Sequence, residues 1–375
     1  MSPAVTIVVP VCTPCAPDSA RSPAATGTAA FYTSLTRCLE SLCTQDFSPL
    51  QIIVVDDNAR AHEQKECRSF ITQFQKQNKK LPHAKDIEYI CLEGNRGLVE
   101  ARRTGFENAK GAFTLTVDSD DMLVRDDAVS TLYHAATGTP ADGGNMPAGG
   151  VNMPAGGYDI VHCATLLEGR ERIHSEELRY KLNLAEHPAP HDMVLDCGDL
   201  SSFFLGKGGP CLILWAKLYK TQSALEAFSH VPNMYCVLAE DLVLSYFFSR
   251  EMHSYRTIDD ALYSYTVNVG ISSDAKIFDA QTWNKTCSVS SVFTAILYDM
   301  EERPFEEGSP VPQRLNELYY HYITSNALAL AHQVDASLYD EAREIFIEAW
   351  GEESALKAIT AAKKIDEQNQ TTSHS

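Results

Sequence analysis

Two rhythms of apolar and polar positions run through the first 120 residues. Short β-branched runs at 6–9, 51–55, 87–92 and 113–117 read as buried strands. Between them the apolar positions fall at helical spacing. Phe31, Leu35, Cys38, Leu39 and Leu42 form one stripe, and Cys67, Phe70, Ile71 and Phe74 form another. Residues 98–109 read as a third helix, entered through the turn Asn95-Arg96-Gly97. Strand and helix in alternation predict a parallel sheet flanked by helices. Residues 12–30, rich in Pro, Ser, Ala, Thr and Gly, read as a loop.

Beyond 120 the pattern loosens. Residues 138–157 carry a short duplication around Asn145 and Asn152, too brief for a repeat fold, and read as a mobile surface loop. A strand is predicted at 158–164. The apolar run 212–219 encloses Trp215, and an apolar helix opens on Glu240-Asp241. From about 274 the chain reads as helical. Its segments are 289–297, 315–330 with Tyr319 and Tyr322 on an apolar stripe, a helix to Trp350 with Ser337 as its cap, and 355–364. The polar stretch 365–375 is expected to be disordered.

The chemistry lies where strands end. Asp56 and Asp57 follow one apolar run; Asp118, Asp120 and Asp121 follow another. In open parallel sheets ligands bind beyond the carboxyl ends of the strands. Like charges packed together need a positive partner, and hard cations such as Mg²⁺ take oxygen ligands, usually shared with phosphates. Two acidic strand tips on one sheet therefore suit a nucleotide: one for base and ribose, the other for metal-bound phosphates. Glu240-Asp241 reads either as a helix-start cap or as a general base beside an acceptor hydroxyl.

Composition narrows the partners. Lys plus Arg number 31 and Asp plus Glu 50, a net charge of −19, which argues against nucleic-acid binding. Eleven cysteines, an odd number set mostly in apolar segments, fit reduced thiols in the cytoplasm. Cys12 and Cys15 have CxxC spacing but no second ligand pair, so they read as a loop. Gly206-Lys207-Gly208-Gly209 lacks phosphate-loop spacing and reads as a turn. No secretory signal or membrane span is visible in the sequence.

The ordered set of motifs resembles the family 2 glycosyltransferases. These are the run ending at Pro10, the helix 38–42 with Gln45-Asp46-Phe47, the Asp56-Asp57 tip, Asn95-Arg96-Gly97 with Ala101, Arg102 and Gly105, and Asp118-Ser119-Asp120-Asp121. Trp215 to Tyr219, Glu240-Asp241 and Tyr263-Ser264-Tyr265 through 268–272 continue it more loosely. The resemblance implies a GT-A fold, Rossmann-like, over 1–273 with a helical C-terminal region at 274–364. It implies inverting transfer of a sugar from a nucleotide-sugar donor, a UDP-sugar by preference, to a glycan, polysaccharide or lipid-linked acceptor. A lipid-linked acceptor would bring the protein to the inner face of a membrane. The implied donor-binding residues are Pro10, Asp56, Asp57, Asn95, Gly97, Arg102, Asp118 and Ser119. Asp120 would hold Mn²⁺ or Mg²⁺, and Asp241 would be the base.

There are departures. Cys12-Thr13 stands where the family usually has Tyr-Asn and begins an insertion. Asn58-Ala59 replaces Gly-Ser, and Arg103 replaces a common Asn. None removes a carboxylate the mechanism needs. A nucleotidyltransferase of similar fold would want a Gly-rich basic loop after the first strand, which 12–30 does not supply. A non-catalytic nucleotide-sugar-binding protein is the remaining alternative.

Overall fold

The computed structural model describes residues 2–13, 24–79, 85–139, 156–169, 194–196, 200–206, 212–267 and 276–372, with Pro154, Glu186 and Gly209 singly. Cys15, Lys207, most of the duplication and residues 268–272 lie outside the described residues.

The N-terminal half is built on four parallel strands: β1 (Val5–Val11), β2 (Leu50–Asp56), β3 (Ile87–Cys91) and β4 (Phe113–Thr116). β1 is buried along its whole length because helices cover both faces of the sheet. Its Pro10 lies beyond Val8, where the β4 ladder ends, so the missing N–H breaks no bond on that side. Helices α1 (Ala24–Cys43), α2 (Ala61–Asn78), α3 (Leu98–Glu107) and α4 (Ala128–Thr137) make the connections, and a short strand β5 (Met122–Leu123) precedes α4. Helix α1 starts inside the segment read as loop: residues 24–30 are all Ala, Thr and Gly, too small to show an apolar stripe at helical spacing.

The sheet continues through β6 (Ile160–Glu168), β7 (Val194–Asp196), β8 (Lys217–Lys220) and β9 (Ser254–Thr266) in the order β3-β2-β1-β4-β8-β6-β9-β5, with β7 on β9. β8 is antiparallel to both β4 and β6, and β9 is parallel to β6. Two reversals restore direction, so β9 runs the same way as β4 and ends at the same edge. Around these strands pack α5 (Ser201–Phe204), α6 (Thr221–His230) and α7 (Glu240–Glu251). The C-terminal helices are α8 (Ala280–Cys287), α9 (Val289–Glu302), α10 (Val311–His332), α11 (Tyr339–Trp350) and α12 (Glu352–Thr372).

One apolar cluster lies between the sheet and α1, α2 and α4. The other runs unbroken from Phe106 and Tyr219 through α7 to Phe293, Phe346 and Trp350, so the C-terminal helices share the core of the sheet domain. Helix α7 is buried on all sides from Leu242 to Ser249, as expected of a helix sandwiched between layers. At its far end Asp299 accepts hydrogen bonds from Tyr246 (2.7 Å), Arg250 (2.7 Å) and Arg303 Nε (2.8 Å). Ser337 does not cap α11. Its N–H and hydroxyl both donate to Asp335, and α11 begins at Tyr339. Helix α12 runs past 364 to Thr372.

Candidate active site

Three loops and one helix start meet at the carboxyl edge of the parallel strands. Asp56 ends β2 and is fully buried; its carboxylate accepts the Asn58 N–H (2.9 Å) and the Tyr89 hydroxyl. Asp57 accepts the backbone N–H groups of Arg96 (2.6 Å) and Gly97 (2.9 Å), and the Asn95 amide donates to the Asp57 carbonyl (2.9 Å). Burial pushes the Asp57 carboxyl up to about 6. A carboxylate has about four acceptor positions, so two remain for a ligand. Thr13 N–H donates to Asn58 Oδ1 (2.8 Å), which ties the chain after β1 to the same turn. Pro10 itself lies in β1, opposite Val55.

This turn sets the start of α3. Gly97 precedes the helix at φ +89°, and a Cβ there would lie 3.2 Å from the Cys236 carbonyl. Gly105 lets the helix press on β1: a Cβ would fall 2.2 Å from Val8 Cγ1. Helix α3 thereby delivers Arg102, 1% exposed, beneath the rim. Arg102 Nη2 pairs with Asp118 Oδ1 at 3.0 Å, and Nη1 lies 3.6 Å from Glu240 and 3.8 Å from Asp241. Burial works against this charge, but Asp118, Asp241 and Glu240 outweigh it and hold the guanidinium above its ordinary range. Arg103 turns away and caps α6, donating to the carbonyls of Phe228 (2.9 Å) and Val231 (2.8 Å).

Burial, then the adjacent Asp241, pushes Glu240 up to about 8 against the pull of Arg102. Asp241 is also raised, by burial first. The residue before them, Ala239, is held at φ +61°, a region that non-glycine residues seldom occupy. On the strand side, burial and Asp118 push Asp120 up to about 6. Asp121 is buried and structural: it accepts the Tyr263 hydroxyl (2.7 Å) and the Thr266 N–H (2.8 Å). The Thr266 hydroxyl donates to the Asp120 carbonyl (2.8 Å), and Asp118 N–H donates to the Tyr263 hydroxyl (3.2 Å). β9 thus fixes the acidic loop, a role that reading the sequence did not give Tyr263 or Thr266. Ser119 lies partly exposed in that loop.

The structure therefore gathers Asp118, Glu240 and Asp241 around Arg102, with Asp120 beside Asp118 and Asp57 one turn away through Gly97. Arg102 is too deep to lie along a ligand's surface and instead supports the carboxylates. Among the described residues no group of three or more His, Cys, Asp and Glu side chains gathers closely enough to hold a metal alone. Mg²⁺ commonly takes only one or two carboxylates and completes its shell with water and substrate phosphates. Asp120, with Asp118 beside it, fits that donor set. No other described residue is hydrogen-bonded to the Asp120 carboxylate.

A mostly parallel sheet flanked by helices, with acidic residues at its strand ends, is the arrangement of the GT-A fold. Residues 30–186 match the sequence model of "Glycosyl transferase family 2". The glycosyltransferase GlyA of Streptococcus pneumoniae serotype 4 is 35% identical over 108 residues, 29% of this chain and 14% of GlyA. GlyG of the same organism is 28% identical over 108 residues, 29% of this chain and 32% of GlyG. The chain thus spans under a third of either relative. The crystal structure of S. aureus TarS 1-349 in complex with UDP aligns over 93% of this chain and 82% of that one, with a TM-score of 0.52 and 16% identity. TarS 1-349 alone gives 0.51 and 17%, with the same coverage. These likenesses establish the fold.

Proposed function

We propose that the protein transfers a sugar from a nucleotide-sugar donor, a UDP-sugar, to a hydroxyl of a glycan, polysaccharide or lipid-linked acceptor, with inversion. The observation that carries this reading is the convergence of Asp118 and Asp241 on buried Arg102 at the rim where Asp57 and Asp120 also lie. The UDP bound to TarS and the match to the family support the donor class.

In this mechanism Asp57 and the Asn95–Gly97 turn receive the base and ribose, and Asp118 receives the nucleotide sugar. Asp120 would hold Mn²⁺ or Mg²⁺, whose charge would offset that of the leaving diphosphate. Asp241 accepts the proton of the acceptor hydroxyl as its oxygen bonds to the anomeric carbon. The bond from that carbon to the phosphate oxygen breaks on the opposite face, and the nucleoside diphosphate leaves. A raised Asp241 is a stronger base than an ordinary carboxylate, which suits proton removal near neutral pH. Arg102 keeps it ionised and aimed. Among the described residues no helix is long and apolar enough to cross a membrane; a lipid-linked acceptor would be met at a membrane surface.

The test is thermal. UDP at a hundredfold excess over its dissociation constant adds about 2.7 kcal/mol of stability. With about 0.8 kcal/mol/K of unfolding entropy for 375 residues, the melting temperature should rise by about 3 °C. That rise should require Mn²⁺ or Mg²⁺ and vanish in Asp120→Ala. An equal rise in chelator would remove the metal from the mechanism, and no rise with any nucleotide would remove the donor class.

A further inference from the structure

The rim holds an aromatic stack that the proposed mechanism leaves unused. Trp215, 4% exposed, lies between two tyrosines of β9. Its ring is 5.0 Å from Tyr263 at 14° and 4.8 Å from Tyr265 at 11°. Residues two apart on a strand share a face, so the two phenols form one ladder with the indole as its middle rung. The lower rung, Tyr263, is fully buried and committed to Asp121 and the Asp118 N–H. The upper rung is different. Tyr265 is half-buried, and among the described residues no group is hydrogen-bonded to its hydroxyl.

The topology says where that hydroxyl stands. β9 ends at the same sheet edge as β4, and the next residue, Thr266, binds both Asp120 and Asp121. The phenol is therefore within the field of the site's carboxylates. Burial first, then Asp121, Asp118, Asp120 and Asp241, holds it above its ordinary range. It stays protonated throughout the working range of pH and is available as a hydrogen-bond donor. The acidic rim offers many acceptors and few donors, and a nucleotide sugar brings further acceptor oxygens. A fixed neutral donor among carboxylates supplies what such a ligand lacks there.

We propose that Tyr265 is a substrate-binding residue: held in place by its stack on Trp215, its hydroxyl donates a hydrogen bond to an oxygen of the nucleotide-sugar donor in the cleft between Asp120 and Asp241. This rests on the donor class proposed above. The acceptor oxygen belongs either to the diphosphate or to the transferred sugar, and the two are separable by experiment. The Trp215 ring fixes the phenol by packing, so the hydrogen bond forms without ordering a mobile side chain.

The test compares Tyr265→Phe, which keeps the stack, with Tyr265→Leu, which does not, in the full chain. UDP binding in Mn²⁺ is measured by calorimetry, and turnover is measured on a nucleotide sugar that the unaltered protein hydrolyses. Tyr265→Phe should keep the unaltered melting temperature. A ten- to hundredfold loss of UDP affinity assigns the hydroxyl to the diphosphate; the same loss in kcat/KM with UDP affinity kept assigns it to the sugar. Either result supports the proposal. If Tyr265→Phe matches the unaltered protein in both assays, the ring only packs and the proposal is overturned, whatever Tyr265→Leu does. Should the unaltered protein bind no UDP and hydrolyse no nucleotide sugar, the donor-class reading itself has failed, a result distinct from the first.

Discussion

Replacing Arg102 by Met removes one positive charge and leaves the helix, the side-chain length and the apolar stem intact. Three carboxylates then face one another without a cation. Breaking a buried ion pair costs about 3–5 kcal/mol. The partners here are not fully buried: the side chains of Asp118, Glu240 and Asp241 are 25%, 16% and 32% exposed. Water screens part of the repulsion, so about 2–4 kcal/mol is the reasonable range. Divided by about 0.8 kcal/mol/K of unfolding entropy, this lowers the melting temperature by about 3–5 °C. The loss should also depend on pH, and its sign follows from linkage. Glu240 and Asp241 already titrate above the ordinary carboxylate range in the fold, so they cost stability as pH rises from their unfolded values toward Glu240's folded value of about 8. Arg102 pulls both down; without it both rise further, and the cost grows. The gap between Arg102→Met and the unaltered protein should be smallest at low pH and widen as pH rises through about 8, where Glu240 ionises in the unaltered protein but not yet in the variant. Melting scans across that window, by calorimetry or fluorescence, measure it directly. A gap that is flat in pH, or that narrows as pH rises, would refute the assignment of Arg102 as counter-charge to these groups.

Two further expectations concern the base and the far end of its helix. Asp241→Asn should bind UDP in Mn²⁺ as before and lose transfer by a hundredfold or more, on the order expected for a general base; retained turnover clears Asp241 of that role. Asp299→Ala removes the 7% exposed carboxylate that pairs Arg250 and Arg303, leaving Arg250 without an ion-pair partner while Arg303 keeps Glu251, and should cost about 2–4 kcal/mol, or about 3–5 °C in melting temperature. A shift under 1 °C would mean that the network contributes nothing to holding α7.

Much of this was readable in the chain. The buried Val and Ile runs gave the four parallel strands, and their acidic ends pointed to one edge of the sheet. The start of α1 was not readable, because residues 24–30 carry no apolar period. Nor was the fate of Arg102. Arg102 and Arg103 are chemically identical neighbours, and only the packing of Gly105 on Val8 decides that one goes under the rim and the other to the end of α6. Asp56, Asp57 and Asp121 look alike on paper. In the fold each accepts two hydrogen bonds from the protein, but only those of Asp57 come from the Arg96-Gly97 turn that starts α3. Contacts made by Tyr263 and Thr266 span more than 140 positions in the chain, a distance no local pattern reports.

Helix α7 carries Glu240 and Asp241 at one end and Arg250 and Glu251 at the other, twelve residues in all. At 1.5 Å per residue it is a rod about 18 Å long. A tilt of about 5° about its anchored end would swing Asp241, the proposed base, by about 1.5 Å, and misplacement by about 1 Å can cost a hundredfold in rate. A shift of the C-terminal helices packed on its far end therefore has a lever on the proposed chemistry.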